Sequence, residues 1–141
     1  MPLIIILGPT AVGKTKLAVH LAAELNGEII SADSRQVYKG MDIGTGKDLE
    51  EFAVNDKEIP HHLIDIKEAG EHYNLFDFQQ DFYQAYKDIC ARKKTPILCG
   101  GTGLYLEVAL AKDQLLKVPE NEKLRQELSI YTLEALNEKL R

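Results

Sequence analysis

The segment that most restricts the fold of this chain is "IIILGPTAVGKT" at 4–15. An apolar run leads into a glycine-containing bend that fits the pattern G-x-x-x-x-G-K-[ST], and a helical pattern follows from Lys14. This arrangement is typical of a strand, a phosphate-binding loop and a helix whose amino terminus faces an anion. Because the four constrained positions match by chance in about one chain in a hundred or fewer, the pattern predicts binding of a diphosphate or triphosphate. It does not specify the reaction.

The residues of this loop have distinct predicted roles. Gly8 and Gly13 permit a tight backbone, Lys14 adds a positive charge, and the hydroxyl of Thr15 is a candidate ligand for Mg²⁺, the predicted cofactor. The predicted phosphate-binding residues are Gly8, Pro9, Thr10, Ala11, Val12, Gly13, Lys14 and Thr15.

Composition restricts the class of protein further. The 141 residues are 45% hydrophobic and 28% charged, which is ordinary for one soluble domain. The formal net charge of −5 argues against a general nucleic-acid coat. We expect a cytoplasmic chain without membrane contact, because no apolar run is long enough to span a bilayer and the start lacks a signal-peptide pattern. Cys90 and Cys99 fit no metal or redox spacing and are predicted to be free thiols.

Strand-like and helical patterns alternate along the chain. Strands are predicted over 3–7, 28–31 and 62–66 and from Thr95 to a glycine turn, with helices over 14–25, after the cap Asn74 and over 104–111. This alternation is typical of parallel βαβ units, so the predicted fold class is α/β with a doubly wound parallel sheet.

A second motif, "SADSRQVYKGMDIGT", follows the predicted second strand. The carboxyl ends of parallel strands face the ligand crevice, so Asp33 is expected near the phosphate loop. Its carboxylate could hold a metal through water, accept a proton from an attacking nucleophile, or simply cap the turn. Asp65 is a weaker candidate for the metal role.

Several other polar and aromatic residues can be explained by structural roles alone. In "CGGTGLY", Thr102 could donate a hydrogen bond to a ligand, although a plain strand-to-helix turn explains the segment equally well. His61 and His62 are adjacent on a predicted strand and point to opposite faces, so we interpret them as structural or surface residues. The aromatic residues over 73–86 have helical spacing, which favours core packing.

Two amphipathic segments follow Pro119, one over 120–128 and one that begins after a cap at Thr132. Leucines at 133, 136 and 140 form an apolar stripe that is still continuing at Arg141. We therefore predict a core over 1–112 and the start of a helical segment over 113–141, whose stripe is covered by a partner or by a further part of the protein.

Five segments together resemble a known family: "GPTAVGKT", "ISADSRQVYKGMDIGT", "PHHLIDI", "DFQQDF" and "GGTGLYL". In this order and at these intervals they are similar to the amino-terminal part of the bacterial tRNA dimethylallyltransferases, also called tRNA isopentenyltransferases or IPP transferases. The resemblance covers about 3–111. It implies a P-loop NTPase-like fold and transfer of a dimethylallyl group from its diphosphate to the exocyclic amine of the adenosine beside the anticodon.

The resemblance also implies roles for particular residues. Lys14 would stabilise the leaving diphosphate, and Asp33 would act as the general base. The implied partners are dimethylallyl diphosphate and the tRNA anticodon stem-loop, with tRNA contacts from Asp33, Ser34, Arg35, Gln36 and Thr102.

The chain departs from the family in two respects. Gly46 and Asp48 replace the residues usual after the second motif, and the family enzymes are about twice as long. The segment over 113–141 resembles the start of a helical tRNA-gripping insertion that is interrupted partway. We therefore expect an incomplete form of the enzyme that transfers poorly or not at all unless the missing portion is supplied.

Two alternatives remain open at this stage. A P-loop small-molecule kinase would use the same loop to hold ATP, although such enzymes usually need lid arginines and the region after Thr102 has few. A non-catalytic remnant would bind diphosphate and a partner but modify nothing.

Overall fold

The structure is a computed structural model that describes residues 2–47, 49–54, 57–111 and 113–141. Asp48, where the sequence departs from the family pattern, and the predicted domain boundary at Lys112 lie outside the described residues. The elements, in chain order, are β1 (Ile4–Leu7), α1 (Lys14–Leu25), β2 (Gly27–Ala32), a 3₁₀ helix (Leu49–Phe52), β3 (Ala53–Val54), β4 (Lys57–Glu58), β5 (His61–His62), α2 (Leu75–Ala91), β6 (Thr95–Gly100), α3 (Gly103–Leu110), α4 (Glu122–Leu128) and α5 (Leu133–Lys139).

The main sheet has the strand order β1-β6-β2-β5, and every neighbouring pair is parallel. The connection from β1 to β2 carries α1, and the connection from β5 back to β6 carries α2. The two helices pack against opposite faces of the sheet, as the core residues below show. The predicted doubly wound α/β fold is therefore confirmed.

Alternation along the central strands divides the core into two layers. Ile29 and Ile97 pack with α1, whereas their neighbours Ile30 and Leu98 pack with α2 and α3. Residues that alternate in a strand point to opposite faces, so both faces of this sheet are covered by helices. The aromatic residues of α2 pack in the core on the side of Ile30 and Leu98, as predicted.

The two long helices begin where the sequence predicts. Asn74 caps α2 by accepting hydrogen bonds from the backbone N–H groups of Phe76 and Asp77, and Asp77 accepts one from the Asn74 N–H in return. This reciprocal capping box satisfies donors that the first turn of a helix leaves unpaired. Helix α1 covers the predicted 14–25 and ends at Asn26 in the left-handed conformation.

The strand predicted over 62–66 is largely wrong. Pairing with β2 stops at His62, because Leu63 and Asp65 have φ angles of 63° and 54°, which an extended strand does not allow. The segment that follows instead pairs with the second motif: Val37 accepts hydrogen bonds from the backbone N–H groups of Ile66 and Lys67. The motif is thereby tied to the edge of the sheet.

The carboxyl-terminal segment leaves the core at a fixed point. The buried side chain of Gln79 donates to the carbonyls of Val108 (2.9 Å) and Asp113 (3.3 Å) and accepts from the N–H of Leu115 (2.7 Å). These bonds hold the chain where it passes from α3 to the terminal helices.

The terminal helices α4 and α5 contain no buried residue. Helix α4 begins at Glu122 rather than at the predicted 120, because Asn121 caps it by accepting from the N–H of Leu124. Thr132 caps α5 as predicted, and the ends of the leucine stripe, Leu133 and Leu140, are exposed. Among the described residues no helix has the length and apolar character needed to cross a membrane.

Candidate functional site

The phosphate loop connects β1 to the amino terminus of α1. Gly13 lies just before the helix with a φ of 84°, a conformation that favours glycine, and Ala11 has a φ of 64°. The ammonium group of Lys14 donates a hydrogen bond of 2.5 Å to the carbonyl of Pro9, within the loop. A flexible cation thus lies over the loop at the positive end of a helix, which is an arrangement suited to an anion.

A cleft of about 480 Å³ opens at the carboxyl ends of the sheet strands. Its lining includes Thr10, Ala11, Gly13, Lys14 and Thr15 of the predicted phosphate-binding set. Gly8, Pro9 and Val12 belong to the same loop but do not line the cleft. Asp33 and Gln36, from the second motif, line it together with Gly100 and Gly101. The structure therefore brings the phosphate loop and the predicted base to one cavity.

Asp33 lies on the wall of the cleft directly after β2. One carboxylate oxygen accepts a hydrogen bond of 3.0 Å from the backbone N–H of Arg35 and lies 3.5 Å from the Arg35 Nε. The side chain of Asp33 is 19% exposed. The residue therefore caps its own turn and also lines the cavity, so the turn-capping interpretation is compatible in geometry with either of the other two.

The glycine turn after β6 packs closely against its neighbours. A Cβ at Gly100 would lie 2.3 Å from the carbonyl oxygen of Ala32, and one at Gly101 would lie 3.2 Å from that of Gly8. Thr102, which follows, does not line the cleft. Its hydroxyl accepts a hydrogen bond of 3.1 Å from the backbone N–H of Ser34. Thr102 thus stabilises the second motif through the backbone of Ser34.

Gln36 is fully engaged with the protein. Its carbonyl oxygen accepts from the hydroxyl of Ser31 at 2.8 Å, and its amide donates to the carbonyl of Gly46 at 3.2 Å. These contacts fix the orientation in which the side chain faces the cleft. Ser34 and Arg35 lie outside the cavity, and the Arg35 side chain is 50% exposed.

Sequence reasoning missed part of the lining, namely Ile29, Ser31, Thr45, Gly46, Glu51, Phe52 and Cys99. Thr45 is the last residue of the second motif and so carries a sequence signal, whereas Phe52 lies in a stretch without a motif. Burial raises the pKa of the Cys99 thiol to about 11, although the charge of Lys14 opposes this. The thiol therefore stays neutral and is not a nucleophile at neutral pH.

Comparison with known proteins identifies the family to which this chain belongs. The model of the family described as "IPP transferase" matches residues 36–141, and the model described as "Isopentenyl transferase" matches residues 1–59. The chain belongs to the IPP transferase family. The resemblance drawn from the motifs is thereby confirmed.

Relatives of this IPP transferase chain agree with the assignment. It is 60% identical over 134 residues to "tRNA dimethylallyltransferase 1" of Parabacteroides distasonis, covering 95% of this chain and 44% of the relative. It is 57% identical to "tRNA dimethylallyltransferase 2" of Syntrophotalea carbinolica, covering 99% of this chain and 45% of the relative. The chain thus spans less than half the length of these curated relatives.

Solved structures share the fold. The full-length tRNA isopentenylpyrophosphate transferase of Bacillus halodurans is 45% identical with a TM-score of 0.75, over 98% of this chain and 46% of that one. A eukaryotic dimethylallyltransferase acting on tRNA is 31% identical with a TM-score of 0.79, over 99% and 35% respectively. The sheet of this IPP transferase chain is therefore of the P-loop NTPase-like type.

Asp65 does not join the cleft of this IPP transferase chain. Its carboxylate pairs with the ammonium group of Lys47, and neither residue lines the cavity. The suggestion that Asp65 competes for the metal is therefore not supported by its position. The described residues contain no group of three or more His, Cys, Asp or Glu side chains placed to hold a metal ion.

The two histidines have structural contacts, in agreement with their interpretation from sequence. The ring of His61 lies 4.5 Å from that of Phe52, and the Nε2 of His62 lies 2.7 Å from a carboxylate oxygen of Glu28. Cys90 on α2 and Cys99 in β6 are free thiols, as predicted.

Proposed function

We propose that this chain is the amino-terminal part of a tRNA dimethylallyltransferase. The reaction would transfer a dimethylallyl group from dimethylallyl diphosphate to the exocyclic amine of the adenosine adjacent to the anticodon. The observation that carries this proposal is the placement of the Asp33 carboxylate and the phosphate loop on one cleft.

The phosphate loop would hold the diphosphate as a leaving group. As the bond between the allylic carbon and the bridging oxygen breaks, negative charge grows on the diphosphate. The backbone N–H groups at the start of α1 and the ammonium group of Lys14 would stabilise that charge.

The residues present fit Mg²⁺ as a cofactor of the leaving group. Mg²⁺ usually retains several waters and takes only one or two protein oxygens together with substrate phosphates. Thr15 lines the cleft next to Lys14, and its hydroxyl is an oxygen donor of this kind. When bound, the ion would neutralise part of the charge on the phosphate oxygens.

Asp33 would act as the general base. The adenine amine attacks the allylic carbon, and the new carbon–nitrogen bond makes the nitrogen more acidic. Its proton would pass to a carboxylate oxygen of Asp33, while the electron pair of the broken bond leaves with the diphosphate. The N–H of Arg35 holds one oxygen of that carboxylate and so fixes its direction.

The RNA would approach the rim of the cleft near the second motif. Ser34, Arg35 and Gln36 follow Asp33, and Thr102 supports them through its bond to the Ser34 amide. An adenosine flipped out of the anticodon loop would present its amine to the cavity. The segment 113–141 would be the start of a helical insertion that grips the anticodon stem.

A chimera tests this function directly. This chain would replace the matching amino-terminal part of the Parabacteroides distasonis relative, with which it shares 60% identity. We expect the chimera to transfer labelled dimethylallyl groups to an anticodon stem-loop. Asp33→Asn should lower that rate about 100-fold or more with little change in donor binding, whereas Asp88→Asn on the exposed surface of α2 should not. An inactive chimera, or one that tolerates Asp33→Asn, contradicts the proposal.

The 141-residue chain by itself gives the second half of the test. We expect it to bind dimethylallyl diphosphate but to show little or no multiple-turnover transfer, since it spans 44% of that relative. Turnover of ATP with a small alcohol, without binding of the prenyl donor, would favour the kinase alternative. Donor binding by a chimera that modifies no RNA would favour the non-catalytic one.

A further inference from the structure

Lys47 is a buried cation outside the cleft. Its side chain is 0% exposed, and its ammonium group donates to the carbonyl of Tyr38 at 2.9 Å and pairs with the carboxylates of Asp42 (2.8 Å) and Asp65. Burial disfavours the charged form, but the hydrogen bonds that Lys47 donates to Asp42 and Asp65 outweigh it and raise the pKa of Lys47. The ammonium form of Lys47 is therefore stabilised by three partners.

These partners belong to two segments that lie beside the cleft-lining residues Gln36, Thr45 and Gly46. Tyr38 and Lys47 are the two ends of a loop, here called the 38–47 loop, and Asp42 lies between them. Within this loop the hydroxyl of Thr45 donates to the carbonyl of Met41 at 2.6 Å. Asp65 belongs to the neighbouring segment and donates its backbone N–H to the carbonyl of Gln36 at 3.0 Å. One ammonium group thus closes the loop and joins it to the segment beside it.

The loop needs contacts that hold it closed, because its glycine-rich backbone does not favour a single conformation. Gly40, Gly44 and Gly46 have φ angles of 69°, 76° and 66°, and no atom lies within 4 Å of where their Cβ atoms would be. Glycines lose the most conformational freedom on ordering, so a loop rich in them is costly to hold in one conformation. The contacts of Lys47 oppose that cost.

The 38–47 loop contributes residues to the lining of the cleft. Thr45 and Gly46 line the cavity, and the carbonyl of Gly46 accepts the hydrogen bond that orients Gln36. We propose that Lys47 is a positioning residue that fixes this wall of the cleft, where the adenosine and its neighbours are recognised, without touching either substrate. This inference rests on the proposed function, because it takes the second motif to be the RNA-binding side.

The test compares Lys47→Met with Lys87→Met. Met keeps the length of the side chain but removes its charge. Lys87 lies on α2, is exposed and does not line the cleft, so the loss of its charge should matter little. Three quantities are measured on the chimera with the Parabacteroides distasonis relative: affinity for an anticodon stem-loop RNA, affinity for inorganic pyrophosphate, and amide hydrogen exchange over 41–46.

We expect Lys47→Met to weaken RNA binding roughly tenfold, as loss of a supporting residue one contact from a site typically does. Pyrophosphate affinity should stay within about twofold of the wild-type value, because the phosphate loop lies between β1 and α1 and Lys47 makes no bond to it. Exchange over 41–46 should become faster, and Lys87→Met should alter none of the three quantities. Unchanged exchange and RNA affinity in Lys47→Met overturn the inference, and so does an equal loss of RNA and pyrophosphate affinity, which would indicate general unfolding.

Asp65→Asn provides a milder second variant if Lys47→Met does not fold. It leaves Lys47 charged and paired with Asp42, and should shift RNA affinity and amide exchange in the same direction by a smaller factor. Asp65→Asn with wild-type RNA affinity and exchange also overturns the inference. Failure of the proposed function gives a different result: the chimera with wild-type Lys47 binds pyrophosphate but no stem-loop. That result overturns the role in RNA recognition, while amide exchange still reports whether Lys47 closes the loop.

Discussion

The backbone N–H of Ser34 donates a hydrogen bond of 3.1 Å to the hydroxyl of Thr102, a residue 68 positions later in the chain. The bond joins the turn after β2 to the turn after β6, whose strands are neighbours in the sheet. Two segments that the sequence singled out separately thus support each other at the rim of one cleft.

Thr102→Val should destabilise the protein by about 1 kcal/mol, the usual net value of one such hydrogen bond. Valine keeps the shape of threonine but leaves the Ser34 N–H without its acceptor. The free energy of unfolding in urea measures the change. Thr102→Ser retains the hydroxyl and should cost less; if both variants cost the same, the bond is not the cause.

Gly100→Ala should be strongly destabilising, by about 3 kcal/mol or more, because the added methyl would lie 2.3 Å from the Ala32 carbonyl oxygen. Backbone atoms of two paired strands would have to separate. The matched control is Gly103→Ala in the first turn of α3, where no atom lies within 4 Å of the new Cβ. That variant should be neutral or stabilising by about 0.5 kcal/mol. Similar thermal midpoints for the two variants would contradict the close approach of β2 and β6.

Glu28 should make the fold sensitive to acid. Burial of its carboxylate opposes ionisation, but hydrogen bonds from Arg92 (2.6 and 3.1 Å) and His62 (2.7 Å) outweigh burial and lower its pKa below the ordinary 4.5. Because the folded-state pKa is the lower one, the carboxylate stabilises the fold above pH 4.5. This contribution is lost as the pH falls from that value through the folded-state pKa.

The variant Glu28→Gln tests this dependence. It should lower the free energy of unfolding by about 2 kcal/mol at neutral pH and flatten its decline in acid. The measurement is urea unfolding at a series of pH values. Glu68→Gln, which removes an exposed carboxylate, should keep the wild-type slope. An acid limb in Glu28→Gln as steep as that of the wild type would assign the effect to other groups.

Lys14→Ala should weaken pyrophosphate binding on the order of 10- to 100-fold, the usual effect of losing a charge-assisted hydrogen bond in a partly enclosed site. Lys16 lies two residues further along α1, is exposed and does not line the cleft. Lys16→Ala therefore controls for the loss of one positive charge. Titration calorimetry with pyrophosphate measures both variants, and equal losses would mean that Lys14 acts only through the overall charge.

Local features of this protein are determined by nearby residues and could be predicted from the sequence. The capping box at Asn74 and Asp77 requires only residues three apart, so the start of α2 follows from the sequence itself. The phosphate loop is similar, because glycine, lysine and threonine at fixed spacing act on a ligand through the backbone of one turn. The alternation of strand-like and helical patterns along the chain likewise indicated parallel βαβ units, and the sheet is covered by helices on both faces.

Contacts between distant segments were decided only by the tertiary structure. The segment over 62–66 has the composition of a strand, yet positive φ angles at Leu63 and Asp65 end it early, and the backbone pairs instead with the second motif. Asp65 was a plausible metal ligand until the fold placed its carboxylate beside the buried ammonium of Lys47. A charge withdrawn from water must find its partner in space, and residue spacing along the chain does not specify which partner that is.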